Sequence, residues 1–309
     1  CRAWGDPHYI SFDGRRTDFQ GICTYVLAES TAGTHFRVSA KNEHRHNNRV
    51  SFVSRVDVEV YGHKVSLEKG KKVKVDGIQR TLPVCLGRTM VKLSGNNIVL
   101  YTDFCLKVIY NGNALVDVKI PSIFSGQTKG VCGNFNGQQD DDRVSPLGMA
   151  TTGVVEFGES WRTNDDPRLV NSNAMTNQAL VQEVESVTNC GQLTDGRGMF
   201  GACFSVVDPS NYFDACRYDM LMFDGSQALM CENLEAYAEA CAQAGILITG
   251  WRTEHMCPLM CPPNSHYSPC TSACPSMCTD LNAPARCNSP CLEGCECDEG
   301  YVMSGDACV

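Results

Sequence analysis

The sequence predicts a mainly β protein, an antiparallel β-sandwich followed by a small disulfide-rich helical domain and then a second small disulfide-rich domain. Three observations lead there. Apolar and polar residues alternate with period two through one strand after another between Thr34 and Ile120. Beyond Cys190 the spacing changes to i, i+3, i+4, the signature of helices. Of the 20 cysteines, only five (Cys1, Cys23, Cys85, Cys105, Cys132) fall in the first 189 residues. One core-driven domain therefore precedes smaller ones that depend on bridges, and 309 residues is long enough for two or three domains.

The predicted strands begin at Phe36-Arg37-Val38 and continue through Val50–Tyr61, where Val56, Val58 and Val60 alternate with Asp57 and Glu59. Val65–Leu67, Val73–Val75, Met90–Leu93, Ile98–Tyr101, Leu106–Tyr110 and Val116–Ile120 follow. Tyr61-Gly62, Asp76-Gly77, Ser94–Asn97 and Asn111–Asn113 separate them as hairpin turns. Cys85 and Cys105 flank the Met90–Tyr101 hairpin and are expected to pair across neighbouring strands. The lysines 69, 71, 72 and 74 read as a turn and an exposed strand face, because Val73 and Val75 alternate with them. The stretches Asn164–Pro167 and Asn171–Asn173 are polar turns that close the β domain, and Gln178–Val184 is helix-prone. Ala228-Leu229, Leu234, Ala238 and Cys241 share a helical face that Gly245 ends. The cysteines at 190, 203, 216, 231, 241 and 257 would close three bridges there, and nine more follow after Pro258 in a segment with almost no other core.

Composition limits the function classes. Such a cysteine set, without matched Cys-x-x-Cys pairs, predicts disulfides in an oxidising, extracellular compartment and a secreted chain. The chain opens at Cys1 with no Met and no apolar leader, so it is expected to be a piece of something larger. No run approaches the roughly 18 apolar residues of a membrane span. A net charge of -9 disfavours nucleic acid as a partner. No Gly-x-Ser-x-Gly, His-Glu-x-x-His or phosphate-binding glycine loop occurs, and the chain is expected not to be an ordinary enzyme. His44 and His46 are expected in a polar, Asn-rich loop without a carboxylate or cysteine at metal spacing, and no Asn-x-Ser/Thr acceptor is present.

Two motifs carry chemistry. In Gly5-Asp6-Pro7-His8 the proline nitrogen forms a tertiary amide, and the Asp6 carboxyl can attack its own carbonyl through a five-membered ring, giving an anhydride and a free proline amine. His8 is the candidate proton donor to that nitrogen; the plainer reading is an Asp-Pro turn that never breaks. Asn134, Asn136 and Gln138 alternate around Gly137 ahead of Asp140, Asp141 and Asp142, a dense set of hard oxygens that suits Ca²⁺. The twelfth position from Asn134 is Ser145, which excludes an EF-hand; the competing reading is a solvated acidic turn.

These segments, in this order, resemble one D assembly of the von Willebrand factor and gel-forming mucin superfamily. That assembly is a von Willebrand type D domain, an eight-cysteine domain and a trypsin-inhibitor-like domain. The carriers are CRAWGDPHYISFDG from Cys1, GICTYVL from Gly21, VCGNFNG from Val131 and FGESW from Phe157. CFSVVDP from Cys203, Trp251-Arg252-Thr253, CPPNSHY from Cys261 and Gly294–Cys297 carry the later domains. The resemblance implies domains at 1–165, 189–257 and 258–309 with a linker at 166–188. It also implies bridges Cys1–Cys132, Cys261–Cys295, Cys270–Cys291, Cys274–Cys287 and Cys297–Cys308. Cys278 is expected to pair beyond Val309, and Cys23 lacks the partner that the pattern places after Trp161. The calcium ligands implied are Asp13, the side chains of Asn134, Asn136, Asp141 and Asp142, and the carbonyl of Gln138. Cleavage at Asp6-Pro7 in mild acid is implied too, with the halves held by Cys1–Cys132.

Departures from the pattern matter. Lys129-Gly130-Val131-Cys132 lacks the first cysteine of the exchange motif Cys-Gly-Leu-Cys, so the unit is not expected to catalyse its own cross-linking. Leu221 and Leu247 stand where a paired set of cysteines is expected, which leaves no orphan thiol. The expected function is an extracellular structural or adhesive module of a mucus or matrix glycoprotein, with other such glycoproteins or neighbouring assemblies as partners. Serine protease inhibition through Cys287–Cys291 is the alternative, but Pro290 would follow the scissile bond and obstruct it. Specific cell or egg-coat adhesion is a second alternative.

Overall fold

A computed structural model describes residues 1–45, 47–151, 153–163, 178–223 and 225–309. It divides into two compact units, Cys1–Lys92 with Ile98–Asn173, and Leu93–Asn97 with Ala174–Val309. The expected turns at Asn164–Pro167 and Asn171–Asn173, and His46, lie outside the described residues.

In chain order the strands of the β domain are β1 (Arg2–Trp4), β2 (His8–Ile10), β3 (Arg16–Asp18), β4 (Thr24–Ser30), β5 (Phe36–Arg45), β6 (Asn47–Val60), β7 (His63–Glu68) and β8 (Lys72–Val75). They continue as β9 (Ile78–Arg80), β10 (Val84–Leu86), β11 (Thr89–Ser94), β12 (Asn97–Thr102), β13 (Lys107–Tyr110), β14 (Val116–Lys119) and β15 (Thr128–Lys129). One sheet has the order β10-β11-β12-β13-β14-β1-β2-β3 and the other β15-β4-β5-β6-β7-β8-β9.

Local turn chemistry sets the registers. Tyr61 and Gly62 both have positive φ, 52° and 79°, and join Val60 to its partner His63. Asp76 and Gly77 do the same, at 50° and 82°, between Val75 and Ile78. Two such residues form the hairpin turn whose twist matches that of the strands. With these registers fixed, Val56, Val58, Val65 and Leu67 all turn inward and are fully buried. Lys72 and Lys74 point the other way on β8 while Val73 and Val75 are buried, as the alternation predicts.

Two local expectations are corrected. β5 and β6 run on to Arg45 and from Asn47, so His44 is a strand residue whose Nδ1 meets the Val50 carbonyl at 3.0 Å. The polar residues there stay in the ladder because buried Asn42 donates to the Tyr9 hydroxyl and the Gly21 carbonyl. Asp57, which alternates with the valines of β6, is itself buried, with Arg55 and Lys64 at 3.1 and 3.3 Å. Cys85 and Cys105 are exposed, unbridged thiols: Cys85 lies on β10 and Cys105 in the turn after β12, so β11 stands between them.

The Phe157–Trp161 motif is explained by packing. It forms helix α1 (Val154–Ser160), on which a Cβ at Gly158 would come within 2.4 Å of the Phe19 ring. Only glycine lets that ring lie against the helix. Glu159 accepts from the Tyr25 hydroxyl at 2.9 Å, and the Trp161 indole donates to the Val144 carbonyl at 3.0 Å.

In the second unit, α2 (Gln178–Val184) precedes α3 (Ser210–Met222) and α4 (Gln227–Gln243), and Gly245 at φ 89° follows α4 as the helix stop. Three bridges close this domain, Cys190–Cys216, Cys203–Cys241 and Cys231–Cys257. Phe200 packs between Tyr237 and Trp251, with ring centroids 5.7 and 6.0 Å away. Strands β16 (Ser265–Thr271), β17 (Leu292–Cys297), β18 (Met303–Ser304) and β19 (Ala307–Cys308) form two antiparallel pairs near the end. The four bridges expected there all form. Arg252 joins the two segments, reaching Glu293 at 2.5 Å and Glu235 at 3.0 Å, while the Trp251 indole donates to Glu293 at 2.9 Å.

Candidate functional site

The Gly5-Asp6-Pro7 segment is the three-residue loop of the β1–β2 hairpin, closed by the pair Trp4 and His8. Gly5 takes φ 58°, a left-handed conformation that favours glycine. All residues from Arg2 to Tyr9 are buried, which is unusual for a turn. His8 Nε2 lies 2.9 Å from Asp6 Oδ1, and Nδ1 lies 2.9 Å from Asp18 Oδ1. The second contact follows from strand pairing, because His8 and Asp18 are direct partners between β2 and β3. Burial pushes the Asp18 carboxyl up, but hydrogen bonds and charge from His8 and Arg16 outweigh it and hold the group at about 2. Asp18 is thus an anion that orients the imidazole. The Gln20 side-chain amide donates to the Asp6 carbonyl oxygen. Asp18 and Gln20 escaped sequence reasoning because the β2–β3 register and the path of the chain after β3 bring them to the motif.

Cys1 is bridged to Cys132, and the Cys1 carbonyl accepts from Val118 N at 2.8 Å. Residues before the Asp6-Pro7 bond are therefore held covalently as well as by β1's places beside β14 and β2.

The second candidate surrounds Asp13. Its two carboxylate oxygens accept from the backbone N–H groups of Asn136 and Gly137 at 3.0 and 2.9 Å. Asp141 Oδ2 accepts from the side-chain amides of Asn134 and Asn136 at 3.1 and 2.7 Å. Asp142 is buried, with Oδ2 receiving the Ser11 hydroxyl at 2.5 Å. Gly133 makes room for it, since a Cβ there would fall 1.8 Å from Asp142 Oδ1. Asp141 Oδ1 and Asp142 Oδ1 are buried without a hydrogen-bond partner, a costly state for a carboxylate unless a cation is near. Burial, with Asp13 and Asp141 adding to it, pushes Asp142 up to about 6. These hard, crowded oxygens fit a Ca²⁺ ion. Gln138 lies on the same loop, its N–H donating to Asn136 Oδ1 at 2.7 Å, with an exposed side chain.

The loop Cys287–Cys291 is anchored at both ends by bridges to Cys274 and Cys270, with Asn288, Ser289 and Pro290 exposed. Among the described residues, no helix is long and apolar enough to cross a membrane.

Comparison with known proteins agrees with this architecture. The profile of the von Willebrand factor type D domain matches residues 1–149, that of the C8 domain 189–258 and that of the trypsin-inhibitor-like cysteine-rich domain 261–309. Human IgGFc-binding protein is 40% identical over 321 residues, an alignment that covers all of this chain and 6% of that protein. Human zonadhesin is 38% identical over 322 residues and human alpha-tectorin 38% over 324; both cover all of this chain, with 11% and 15% of those proteins. The chain thus spans well under a fifth of the length of these relatives. On the three profiles in series, the eight bridges and the two-sheet β domain, the chain belongs to the family of von Willebrand factor type D assemblies, with C8 and trypsin-inhibitor-like domains following the D domain.

Proposed function

We propose that this chain is a secreted, extracellular scaffold module with an adhesive role in a larger mucus or matrix glycoprotein. Its bridges and a calcium ion keep it rigid, and its Asp6-Pro7 bond is cut once by its own residues. Its partners are other extracellular glycoproteins and neighbouring assemblies of the same kind. The observation that carries the reading is the buried hairpin loop, where the Asp6 carboxylate meets the His8 imidazole beside a bond whose two sides the Cys1–Cys132 bridge joins.

The Asp6 side chain is the nucleophile towards its own carbonyl carbon, and His8 supplies the proton that the Pro7 nitrogen needs on leaving. Burial keeps water from competing until the bond has broken. Asp13, Asn134, Asn136, Asp141, Asp142 and the Gln138 carbonyl would hold calcium, which supplies charge neutralisation for the clustered carboxylates. The test is to incubate the purified chain, extended a few residues upstream of Cys1, near pH 6 with calcium, and to follow intact mass and gel mobility. A new amino terminus at Pro7, with the upstream piece released only on reduction, is expected. A chain that stays whole would leave a passive spacer in place of the self-processing module.

A further inference from the structure

We infer that Gln20 is a catalytic residue of the Asp6-Pro7 cleavage, the donor that polarises the Asp6 carbonyl and stabilises the oxyanion formed from it. The inference rests on the self-cleavage reading above and deepens it. The Gln20 side-chain amide donates to the oxygen of the one carbonyl whose carbon must become tetrahedral. Its orientation is fixed from the other side: Gln20 Oε1 accepts from the Ser51 backbone N–H at 3.1 Å. Rotating the amide by half a turn would set oxygen against the Asp6 carbonyl and NH₂ against the Ser51 N–H, so both contacts select the donor-forward arrangement.

The supporting shell is built into the β domain. Ser51, on β6, also donates its hydroxyl to the Gly21 carbonyl at 2.7 Å, and the Asn42 amide donates to the same oxygen at 3.2 Å. Gly21 is needed for this path, because a Cβ there would lie 2.0 Å from the Tyr25 hydroxyl. Residues 20 and 21 are thus held in place before any reaction begins, which is what makes such a donor effective.

The reaction balances as follows. An Asp6 carboxylate oxygen bonds to the Asp6 carbonyl carbon, closing a five-membered ring, and the carbonyl electrons move onto the oxygen that faces Gln20. As that oxyanion collapses, the bond to the Pro7 nitrogen breaks with its electron pair staying on nitrogen. Nitrogen takes a proton from the His8 imidazolium, leaving neutral imidazole, a cyclic anhydride at residue 6 and a secondary amine at Pro7. One water then opens the anhydride to two carboxylates; of the two protons released, one returns to His8 and the other goes to the amine or to solvent.

Gln20→Ala and the isosteric Gln20→Glu test the assignment in the chain extended upstream of Cys1. The wild-type chain and both variants are purified at pH 8, shifted to pH 6 with calcium and sampled over time by intact mass under reduction. Removing one oxyanion donor is expected to slow cleavage by about 10²- to 10³-fold. Ionised Glu, which keeps the shape and sets an oxygen against the Asp6 carbonyl in place of the donor, should be at least as slow as Ala in the folded fraction. A merely structural glutamine would lower the melting temperature and leave the rate of the folded fraction alone. Cleavage of a folded variant within twofold of wild type would overturn the assignment and leave the self-cleavage reading standing. A wild-type chain that never cleaves would remove both.

Discussion

Replacing Cys1 and Cys132 together by alanine removes the longest covalent loop in the protein without leaving a lone thiol. The bridge closes a loop with a sequence separation of 131 residues. In the chain-entropy treatment, restoring that freedom to the unfolded state costs about 5 kcal/mol of stability, at the upper end of the roughly 2 to 5 kcal/mol typical for lost native bridges. Local geometry gives the native state little to offset it. Cys132 is fully buried, its N–H donating to the Leu27 carbonyl and its carbonyl accepting from Phe12 N, both at 2.9 Å. For a β domain of this size, a loss of about 3 to 5 kcal/mol lowers the melting temperature by roughly 6 to 20 °C. Calorimetry of the double variant beside wild type measures it. A drop smaller than about 3 °C would show that the bridge does not constrain the unfolded chain and would refute the reasoning. In a cleaved sample the same variant should release the segment ending at Asp6 without reductant, because only the three residues of β1 would then hold it.

The loop from Asn134 to Asp142, proposed to hold calcium, makes two further predictions. Chelating calcium should lower the melting temperature by several degrees, since saturation at 100 times the dissociation constant is worth about 2.7 kcal/mol, and Asp142→Asn should abolish that shift. Without cation, the folded state binds the Asp142 proton more tightly than the unfolded chain, so stability should fall as pH rises from about 4 to about 6 and then level off, a total of roughly 2 to 3 kcal/mol. Urea titrations of wild type and Asp142→Asn across that range check the sign, and a wild-type curve that rises there would contradict it. Arg252→Met should destabilise the second unit by about 2 to 4 kcal/mol at pH 7, because Glu235 and Glu293 would lose the cation between them. Burial already pushes Glu293 up, so the loss should shrink as pH falls and Glu293 gains a proton; an effect independent of pH would place the cause elsewhere.

Much of this protein is written locally in the chain. The two-residue turns at Tyr61-Gly62 and Asp76-Gly77, the buried valines of β6 to β8, the α4 face with its Gly245 stop, and the order of the three domains all follow from short-range patterns. The bridges of the last domain were legible through the family pattern of cysteine spacings. Helix α3 was harder to read, because its buried face of Tyr212, Ala215, Cys216 and Met220 is interrupted by buried Asp219. The Cys85–Cys105 pair failed because a disulfide depends on which strands are neighbours, and strand order is a property of the whole sheet.

The sequence by itself determined the residue chemistry at the two candidate sites, an Asp6-Pro7 bond beside a histidine and a loop dense in side-chain oxygens, because both are runs of neighbouring residues. Tertiary structure alone decided their surroundings. Asp18 reaches His8 through the register of β2 and β3, Gln20 reaches the Asp6 carbonyl through a path held from β6, and Ser11 and Gly133 set the place of Asp142. His8 and Asp18, Asp6 and Gln20, Gln20 and Ser51, and Ser11 and Asp142 lie 10 to 131 residues apart along the chain, beyond any local pattern, and strand register together with the packing of the β domain brings them within hydrogen-bonding distance.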